Sequence, residues 1–497
     1  MTTFLLSIAL LIGGYVVYGA LVEKIFGIRY TRPMPAVTRA DGVDYMILPN
    51  WKVYFIHFLN IAGLGPIFGA IMGVMFGPAA FLWIVFGTIF GGAVHDYLAA
   101  MVSIRAGGVS LPDMTGHELT NGIKQMSRAW TIGLLVLVGA VFVVSPAGLI
   151  YTMTGIDRAV WVVVIFIYYM LATVLPIDKI IGNLYPVFGF ALIFMAAGLL
   201  VVLLFEGWPG GMFPINDGMW EGLHSRHPDS SLPVFPMMCV SIACGAISGL
   251  HASQTPLMAR CLKNERMARP IFYGAMVTEG LVALIWAAAA IAFTGGYEQL
   301  AEYITEHKQA GNVPELMLVT DIAYGWLGTI GGTIALFGVL AAPITSGDTV
   351  FRSARLIVAE VFHIDQKSFA KRMLITVPLF LAAILIMNID FSILWRYFAW
   401  CNQTLSVFTF WALTVYLARH GKAYIITMLP GMFMTGVSVT YICCAPVPEG
   451  FGLSWSTSIA LSSAMAVALC LIFMYYEQTR FKPMLRQKAL AKAALIK

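Results

Sequence analysis

The strongest constraint on the fold is a series of apolar runs, each long enough to cross a lipid bilayer as a helix. A spanning helix needs about 20 mostly apolar residues, and only 11% of the 497 residues are charged. Backbone groups in lipid must be hydrogen-bonded within the protein, which favours helices. We therefore predict an all-α polytopic membrane protein with about 13 transmembrane helices. The predicted spans are 4–22, 55–77, 79–103, 130–152, 159–176, 183–205, 234–256, 271–293, 318–344, 373–388, 391–417, 424–442 and 455–476.

Basic residues collect in alternate loops between these spans and in the C-terminal tail. With thirteen spans, 26 of the 30 Lys and Arg residues fall on one side of the membrane. Because Lys and Arg concentrate in cytoplasmic loops, this side is predicted to be cytoplasmic. The C-terminus is then expected in the cytoplasm and the N-terminus outside.

The segment HFLNIAGLGPIFGA places polar and helix-breaking residues inside the second predicted span. Pro66 has no N–H to donate, and Gly63 and Gly65 weaken a helix. Open backbone is tolerated in a membrane only where it is buried in protein or lines a cavity. The segment predicts a broken helix with His57 and Asn60 beside the break. Close helix packing through small residues is the alternative.

A second interruption lies in the seventh predicted span, in CGAISGLHASQTPLMARC. Gly249 and Pro256 interrupt the apolar run, and His251, Ser253 and Gln254 lie between them. Five spans begin with the first break, and five more begin with the second. An odd number of spans per set reverses the direction of the second set. This pattern is typical of inverted repeats with a binding site near the bilayer midplane.

The two breaks divide the chain into four predicted parts. An extra N-terminal helix and a cytoplasmic loop occupy 1–54, and a first five-helix repeat occupies 55–206. A second, inverted five-helix repeat occupies 234–418, and two accessory helices with a cytoplasmic tail occupy 419–497. The repeat is inferred from topology alone, because the two halves share no strong residue identity.

Half-helix ends at the two breaks suit a solute and an ion together. N–H groups at a helix N-terminus favour a carboxylate, and carbonyls at a C-terminus favour a cation. We predict substrate-binding residues on both broken spans and one on the eleventh span. They are His57, Asn60, Gly63, Gly65, His251, Ser253, Gln254 and Asn402. A hydrogen-bonded packing role is the alternative for the two histidines.

Other polar residues inside the spans are candidates for ion coupling, because charges in hydrocarbon are costly and usually functional. His95 and Asp96 form either a proton carrier, since His titrates near neutral pH, or a buried structural pair. Thr345, Ser346 and Asp348 offer hard oxygen ligands for Na⁺, or they cap the helix that follows. Both coupling schemes remain open from the sequence. Glu279, in the eighth span, is either functional or paired with a neighbouring span.

The chain lacks the motifs of nucleotide-driven transport and of common membrane enzymes. It has no Gly-rich phosphate loop ending in Lys-Ser or Lys-Thr, and no HExxH pattern. We therefore expect no enzyme activity, no cofactor and no nucleic-acid partner. Loop 206–233 either binds a metal or is simply solvated, and its candidate ligands are Asp217, His224, His227 and Asp229.

Five stretches, in order between about residues 45 and 420, resemble the carbon starvation protein family of peptide and pyruvate transporters. The resemblance implies secondary transport of pyruvate or short peptides into the cytoplasm across the bacterial inner membrane, coupled to H⁺ (or Na⁺). It also suggests the five-plus-five inverted repeat of the amino acid–polyamine–organocation transporters. The alternative is a nutrient sensor that keeps the transporter fold without net transport. The five stretches are HFLNIAGLGPIFGA, GGAVHDYLAAMVSIR, SGLHASQTPLMARCLKNE, ITSGDTVFRSARL and LWRYFAWCNQTL.

Overall fold

The architecture is helical throughout the part of the chain that the computed structural model describes, which confirms the all-α prediction there. That part comprises residues 1–42, 44–174, 177–215, 218–310, 313–389, 391–447 and 449–494. The main helices are α1 (Thr2–Phe26), α2 (Asn50–Ile61), α3 (Gly65–Val74), α4 (Ala79–Arg105), α5 (Leu111–Glu118), α6 (Asn121–Thr154), α7 (Arg158–Val174), α8 (Ile177–Glu206), α9 (Val234–Ser241), α10 (His251–Ala259), α11 (Glu265–Thr294), α12 (Tyr297–Gln309), α13 (Pro314–Phe362), α14 (Phe369–Ile386), α15 (Phe391–Arg419), α16 (Ile425–Cys444) and α17 (Trp455–Ala491).

Judged by length and composition, fewer helices can cross a membrane than the sequence predicts. Nine helices of the described chain are long and apolar enough to cross a bilayer, or ten if the bent pair α2–α3 is one span. Every predicted span coincides with a helix or a helix pair. The count of 13 is not confirmed, because α7, the pair α9–α10 and α15 fall outside the nine. Their status as spans, and the inverted repeat, remain predictions.

The first break lies where the Gly and Pro residues predict it. Helix α2 ends at Ile61, and the chain turns through 62–64 before α3 begins at Gly65. The two half-helices are bent by 54°. Pro66 lies in the first turn of α3, where a missing N–H is tolerated. The sequence therefore both ends one half-helix and starts the next.

The second break is a longer irregular segment that packs directly against the first. It covers 242–250, between the end of α9 and the start of α10. A Cβ atom placed on Gly65 would lie 2.1 Å from the Cβ atom of Cys244. A Cβ atom on Gly245 would lie 2.6 Å from the Cβ atom of Ala283. Glycine at position 65 therefore allows the two breaks to touch, and glycine at position 245 allows the second break to pack closely on α11.

Helix α13 continues well beyond the predicted span 318–344, to Phe362, and has a kink at Gly328, where the backbone is not helical. Its continuation is buried as far as Arg355, and Arg352 and Arg355 lie 3.2 and 3.8 Å from the carboxylate of Asp44, in the loop after α1. Burial alone would raise the pKa of Asp44, but these arginines together hold it below its usual value. Helices α6, α7 and α8 pack along α13, and α10 packs against α4.

Candidate functional site

The centre of the site is a chain of buried titratable side chains that crosses between the two halves of the protein. In α4, the Nδ1 atom of His95 lies 2.8 Å from Oδ1 of Asp96. The other oxygen of Asp96 lies 2.9 Å from Nδ1 of His251, at the start of α10. The Nε2 atom of His251 faces Oε2 of Glu279, in α11, at 3.5 Å. All four side chains are fully buried.

Helix packing explains why these four groups meet. Helix α10 begins at the second break, so its first residue, His251, lies at the level where α4 passes. The irregular segment before it is held close to α4, since the hydroxyl of Thr88 donates to the carbonyl of Gly245 at 3.2 Å. The arrangement joins three helices through two carboxylates and two imidazoles. Such a chain can hold a proton and pass it along.

The first break presents polar atoms that no neighbouring side chain or backbone group binds. Neither ring nitrogen of His57 has a hydrogen-bond partner among the described residues, and neither does either amide atom of Asn60. Both side chains are fully buried. The His57 ring lies edge-on to Phe272, with ring centroids 4.7 Å apart. Because unpaired buried polar groups are rare in native proteins, these atoms are the candidate contacts for a solute.

The second break is closed by a side chain that the sequence assigns to substrate binding. The Oδ1 atom of Asn402 accepts hydrogen bonds from the N–H of Leu250 at 2.6 Å and from Ser248 Oγ at 3.1 Å. Its carbonyl accepts from the N–H of Gly249 at 3.2 Å. Asn402 therefore satisfies the interrupted backbone, and its amide nitrogen contacts the sulfur of Cys244.

The other predicted residues of the second break have mixed roles. The Ser253 hydroxyl donates to the carbonyl of Leu250 at 2.6 Å, within its own helix turn. The amide nitrogen of Gln254 donates to Ser253 Oγ at 3.1 Å, while its Oε1 atom has no partner among the described residues. Gln254 thus keeps one free acceptor, whereas Ser253 is engaged locally.

Of the three predicted cation ligands on α13, two face the first break. The Ser346 hydroxyl donates to the carbonyl of Leu59, near the end of α2, at 2.9 Å. Thr345 Oγ1 lies 3.4 Å from the same carbonyl. A Cβ atom on Gly63 would lie 3.4 Å from Ser346 Oγ, so Gly63 adjoins this contact. Two hydroxyls and one helix-end carbonyl therefore converge there.

The third residue, Asp348, is engaged elsewhere. Its carboxylate oxygens accept hydrogen bonds from the hydroxyls of Tyr168 at 2.9 Å and of Tyr185 at 2.7 Å. The Tyr185 hydroxyl also donates to the carbonyl of Thr345. The structure thus separates Asp348 from the hydroxyl pair at the break.

One group of side chains has the composition of a metal site. The ligand atoms of Cys244, His251 and Glu279 lie within 4.8 Å of one another, and all three residues are buried. A thiol, an imidazole and a carboxylate are ligands that zinc accepts. The sulfur of Cys244 already contacts the Ser248 hydroxyl and the Asn402 amide.

Loop 206–233 forms no comparable group among its described residues. His227 accepts from the N–H of Asp229 at 3.1 Å and stacks on Phe76. Asp217, the remaining acidic candidate in this loop, lies outside the described residues. The metal interpretation of the loop stays a prediction.

Sequence reasoning left three residues out of the predicted site. Cys244 belongs to no motif in the sequence, and Glu279 is left there between function and pairing with a neighbouring span. The structure places both against His251. Tyr185, on Asp348, has no signal in the sequence, because the contact joins helices 163 residues apart. A helical period could not connect Cys244 to His251 because the segment between them is not helical.

Comparison with known proteins identifies the family to which the sequence belongs. The family model for the carbon starvation protein CstA matches residues 1–154 and 143–317. An uncharacterized membrane protein of Haemophilus influenzae is 43% identical over 350 residues, which cover 61% of this chain and 94% of the relative.

Relatives with functional names are transporters rather than enzymes. The peptide transporter CstA of Bacillus subtilis is 26% identical over 398 residues, which cover 67% of this chain and 64% of the relative. The pyruvate/proton symporter BtsT of Escherichia coli is 25% identical over 331 residues, covering 54% and 46%. The matched part of this chain therefore spans about half to two thirds of these transporters. On the family match and these relatives, the chain is a multi-pass membrane protein that belongs to the carbon starvation protein CstA family.

Proposed function

We propose that the protein is a secondary active transporter that imports a small carboxylate or peptide, coupled to H⁺ by alternating access. The buried chain His95–Asp96–His251–Glu279, which links α4, α10 and α11, carries this proposal. It lies between the two breaks, where a solute and a coupling ion would bind together. The names of the relatives, a peptide transporter and a pyruvate/proton symporter, support the same class of solute.

The solute would contact the first break. His57 and Asn60 supply buried donors and acceptors with no partner among the described residues. Helix α3 begins at Gly65, and the N-terminal end of a helix favours a carboxylate. His251 and the free Oε1 atom of Gln254 would complete the contacts from α10. Asn402, Ser253, Gly63 and Gly65 would shape the site rather than bind solute directly.

Orientation and architecture belong to the same proposal. The protein would lie in the bacterial inner membrane with its N-terminus outside and its C-terminus in the cytoplasm. Basic residues concentrate in the loops on the C-terminal side, and such loops are usually cytoplasmic. The repeats 55–206 and 234–418 would move relative to each other about the two breaks. The direct packing of Gly65 on Cys244 supports a pivot at this point.

Coupling to Na⁺ is the second candidate, and a different observation favours it. The Ser346 and Thr345 hydroxyls meet the Leu59 carbonyl, and hard oxygens of this kind bind alkali and alkaline-earth cations. Asp348 would neutralise such an ion poorly, since its carboxylate is held by Tyr168 and Tyr185. A proton needs no such charged ligand, so the geometry favours H⁺.

The decisive experiment is uptake of labelled pyruvate into proteoliposomes that contain the full chain. A pH gradient and a Na⁺ gradient are imposed separately at equal membrane potential, with dipeptides as competitors. Accumulation driven by the pH gradient, and abolished by a protonophore, is expected. For the variant Asp96→Asn, an Asp365→Asn protein serves as the matched control, because Asp365 is an exposed loop residue.

Each other outcome changes the proposal in a defined way. Accumulation that follows only the Na⁺ gradient would transfer coupling to Thr345 and Ser346. Competition by dipeptides would extend the solute class to peptides. If neither pyruvate nor labelled di- and tripeptides accumulate under either gradient, transport is rejected. The alternative, a transporter-like nutrient sensor without net transport, would then be favoured.

A further inference from the structure

A second polar site lies outside the proposed transport pathway, where two spans end together. A pocket of about 370 Å³ opens beyond the C-terminal ends of α1 and α4. Five of its nine lining residues are arginine or threonine, in contrast to the surrounding apolar helices. The lining residues that matter for its chemistry are Arg29, Thr31, Arg32, Thr38, Arg105 and Gly107.

The pocket carries an excess of positive charge. Its carboxylate is the buried Glu265, which accepts from the N–H of Arg29 at 2.7 Å and lies 3.2 Å from Nε of Arg32 and 3.3 Å from Arg105. A Cβ atom on Gly107 would lie 2.8 Å from the guanidinium of Arg39, so Arg39 borders the same space. The guanidinium groups of Arg32 and Arg105 thus contact the carboxylate of Glu265, and Arg29 and Arg39 add two further positive charges at the pocket.

Lys422 lies close to the pocket and interacts with its positive charges. Lys422, in the loop after α15, donates to the carbonyl groups of Ile25 and Phe26 at the end of α1. Burial lowers the pKa of Lys422, and the charges of Arg105 and Arg29 lower it further. The positive charge of the pocket is therefore felt by groups that do not line it.

The pocket lies where two apolar helices end, and spanning helices reach the lipid headgroups at their ends. Helix α1, an apolar helix of 25 residues, ends at Phe26, and Arg29 follows three residues later. Arg105 is the last residue of α4, which is also long and apolar enough to cross a membrane. Leu21, near the end of α1, and Tyr30, just after it, are 48% and 68% exposed, so this end of α1 is open to its surroundings.

We propose that this pocket binds a phosphate group, and that the headgroup of an anionic phospholipid is the source that its position favours. Planar guanidinium groups bind phosphate oxygens in pairs, and basic pockets between spanning helices bind anionic headgroups. The hydroxyls of Thr31 and Thr38 add donors. A bound phosphate would contact the C-terminal end of α4, the helix that carries Asp96, because Arg105 is its last residue.

The test compares lipid retention by the full-length protein and by charge variants. Native mass spectrometry counts phosphatidylglycerol and phosphatidylcholine that stay bound after extraction into a mild detergent. An Arg29→Gln/Arg32→Gln protein removes two pocket charges but keeps Arg105, which holds Glu265 and the Gly27 carbonyl. An Arg486→Gln/Lys488→Gln protein removes two exposed charges from α17 as the matched control.

Wild type is expected to retain phosphatidylglycerol over phosphatidylcholine. Each pocket arginine contributes about fivefold to retention of an anionic lipid, and the tail variant should stay within about twofold of wild type. A second arm titrates inorganic phosphate into lipid-free protein and follows thermal stability against chloride at equal ionic strength. Stabilisation that depends on Arg29 and Arg32 would identify free phosphate as the source.

Two results would overturn the proposal. Equal retention of phosphatidylglycerol by wild type and the pocket variant, together with no arginine-dependent phosphate effect, would exclude a phosphate site. Equal retention of both lipids by wild type, again without that phosphate effect, would exclude it as well. If the double variant is not monodisperse, the same comparison is made with the single variant Arg29→Gln, because the Arg29 side chain is exposed.

Discussion

The two broken helices differ in whether the polar groups beside each break are hydrogen-bonded within the protein. At the second break, the side chain and carbonyl of Asn402 bind the N–H groups of Leu250 and Gly249, so the interruption is closed by protein. At the first break, His57 and Asn60 are equally buried but have no partner among the described residues. The backbone of the second break is therefore bonded by Asn402, although Gln254 Oε1 beside it has no partner among the described residues, whereas the first break keeps two polar side chains unpaired.

The two breaks have similar Gly and Pro signals in the sequence, but this difference indicates that they have different roles. A closed break stabilises a fixed bend and holds His251 against Asp96. In the proposed function the open break supplies contacts for a solute, since leaving polar atoms unpaired in a protein interior is costly. The comparison predicts that substitutions at the second break affect mainly stability, and those at the first break mainly transport.

The largest effect is expected from adding one methyl group to the second break. In Gly249→Ala, the new Cβ atom would lie 2.3 Å from the carbonyl oxygen of Asn402 and 2.4 Å from the nitrogen of Ser406. Backbone on both sides cannot move away, so we expect a loss of about 3 kcal/mol. Thermal unfolding in detergent measures it.

The matched substitution at the first break is Gly63→Ala. Its Cβ atom would meet the tip of the Phe142 ring at 2.7 Å, and a ring can shift. We expect a loss of about 1 kcal/mol. Equal destabilisation by the two substitutions would contradict the distinction between the breaks.

A pair of asparagine substitutions tests the same distinction at a smaller scale. Asn402→Ala leaves the N–H of Leu250 and the Ser248 hydroxyl without their acceptor, and we expect a loss of about 2 kcal/mol. Asn60→Ala removes no hydrogen bond, so its effect on stability should stay below about 1 kcal/mol. Chemical denaturation of both variants under one condition provides the comparison. A larger loss for Asn60→Ala would place a structural role at the first break.

The transport effect of Asn60→Ala is the next in size. If the amide contacts solute, the KM for uptake should rise about tenfold, which corresponds to about 1.4 kcal/mol of binding. Initial rates over a range of solute concentrations in proteoliposomes measure KM separately from the maximal rate. An unchanged KM would remove Asn60 from the solute site.

The smallest effect is expected at the hydroxyl pair on α13. Ser346→Ala loses one hydrogen bond to the Leu59 carbonyl, worth about 1 kcal/mol of stability. Uptake driven by a pH gradient should stay within about threefold of wild type. Ser458→Ala, which also removes a buried hydroxyl bonded to a carbonyl, is the control. Loss of uptake in Ser346→Ala alone would favour the Na⁺ scheme.

Much of the fold follows from local sequence signals. The apolar runs predict the helices, and the Gly and Pro residues predict both interruptions, which the structure shows at 62–64 and 242–250. The amphipathic run VFRSARLIVAEVF predicts a helix after the ninth span, but not that it continues α13 directly. Within it, Arg352 is buried and bonded to Asp44, which lies more than 300 residues earlier in the chain.

The site is only partly predictable, because its contacts join distant segments. The sequence identifies His95, Asp96 and His251 as unusual in apolar runs, but their contact depends on packing between α4 and α10. Asn402 looks like a solute ligand in isolation, whereas the structure uses it to close the second break. A polar residue within a span is therefore visible from the sequence, and its partner is not.

The measurement that tests the central claim most directly is proton movement during solute uptake. Proteoliposomes carrying a pH-sensitive dye inside receive solute without an imposed gradient, for wild type, Asp96→Asn and the control Asp365→Asn. Asp96 joins both imidazoles, so its substitution should abolish solute-dependent internal acidification while exchange of solute across the membrane continues. Wild type and the control should acidify equally. Unchanged acidification in Asp96→Asn, or solute uptake by wild type without acidification, would contradict the proton chain.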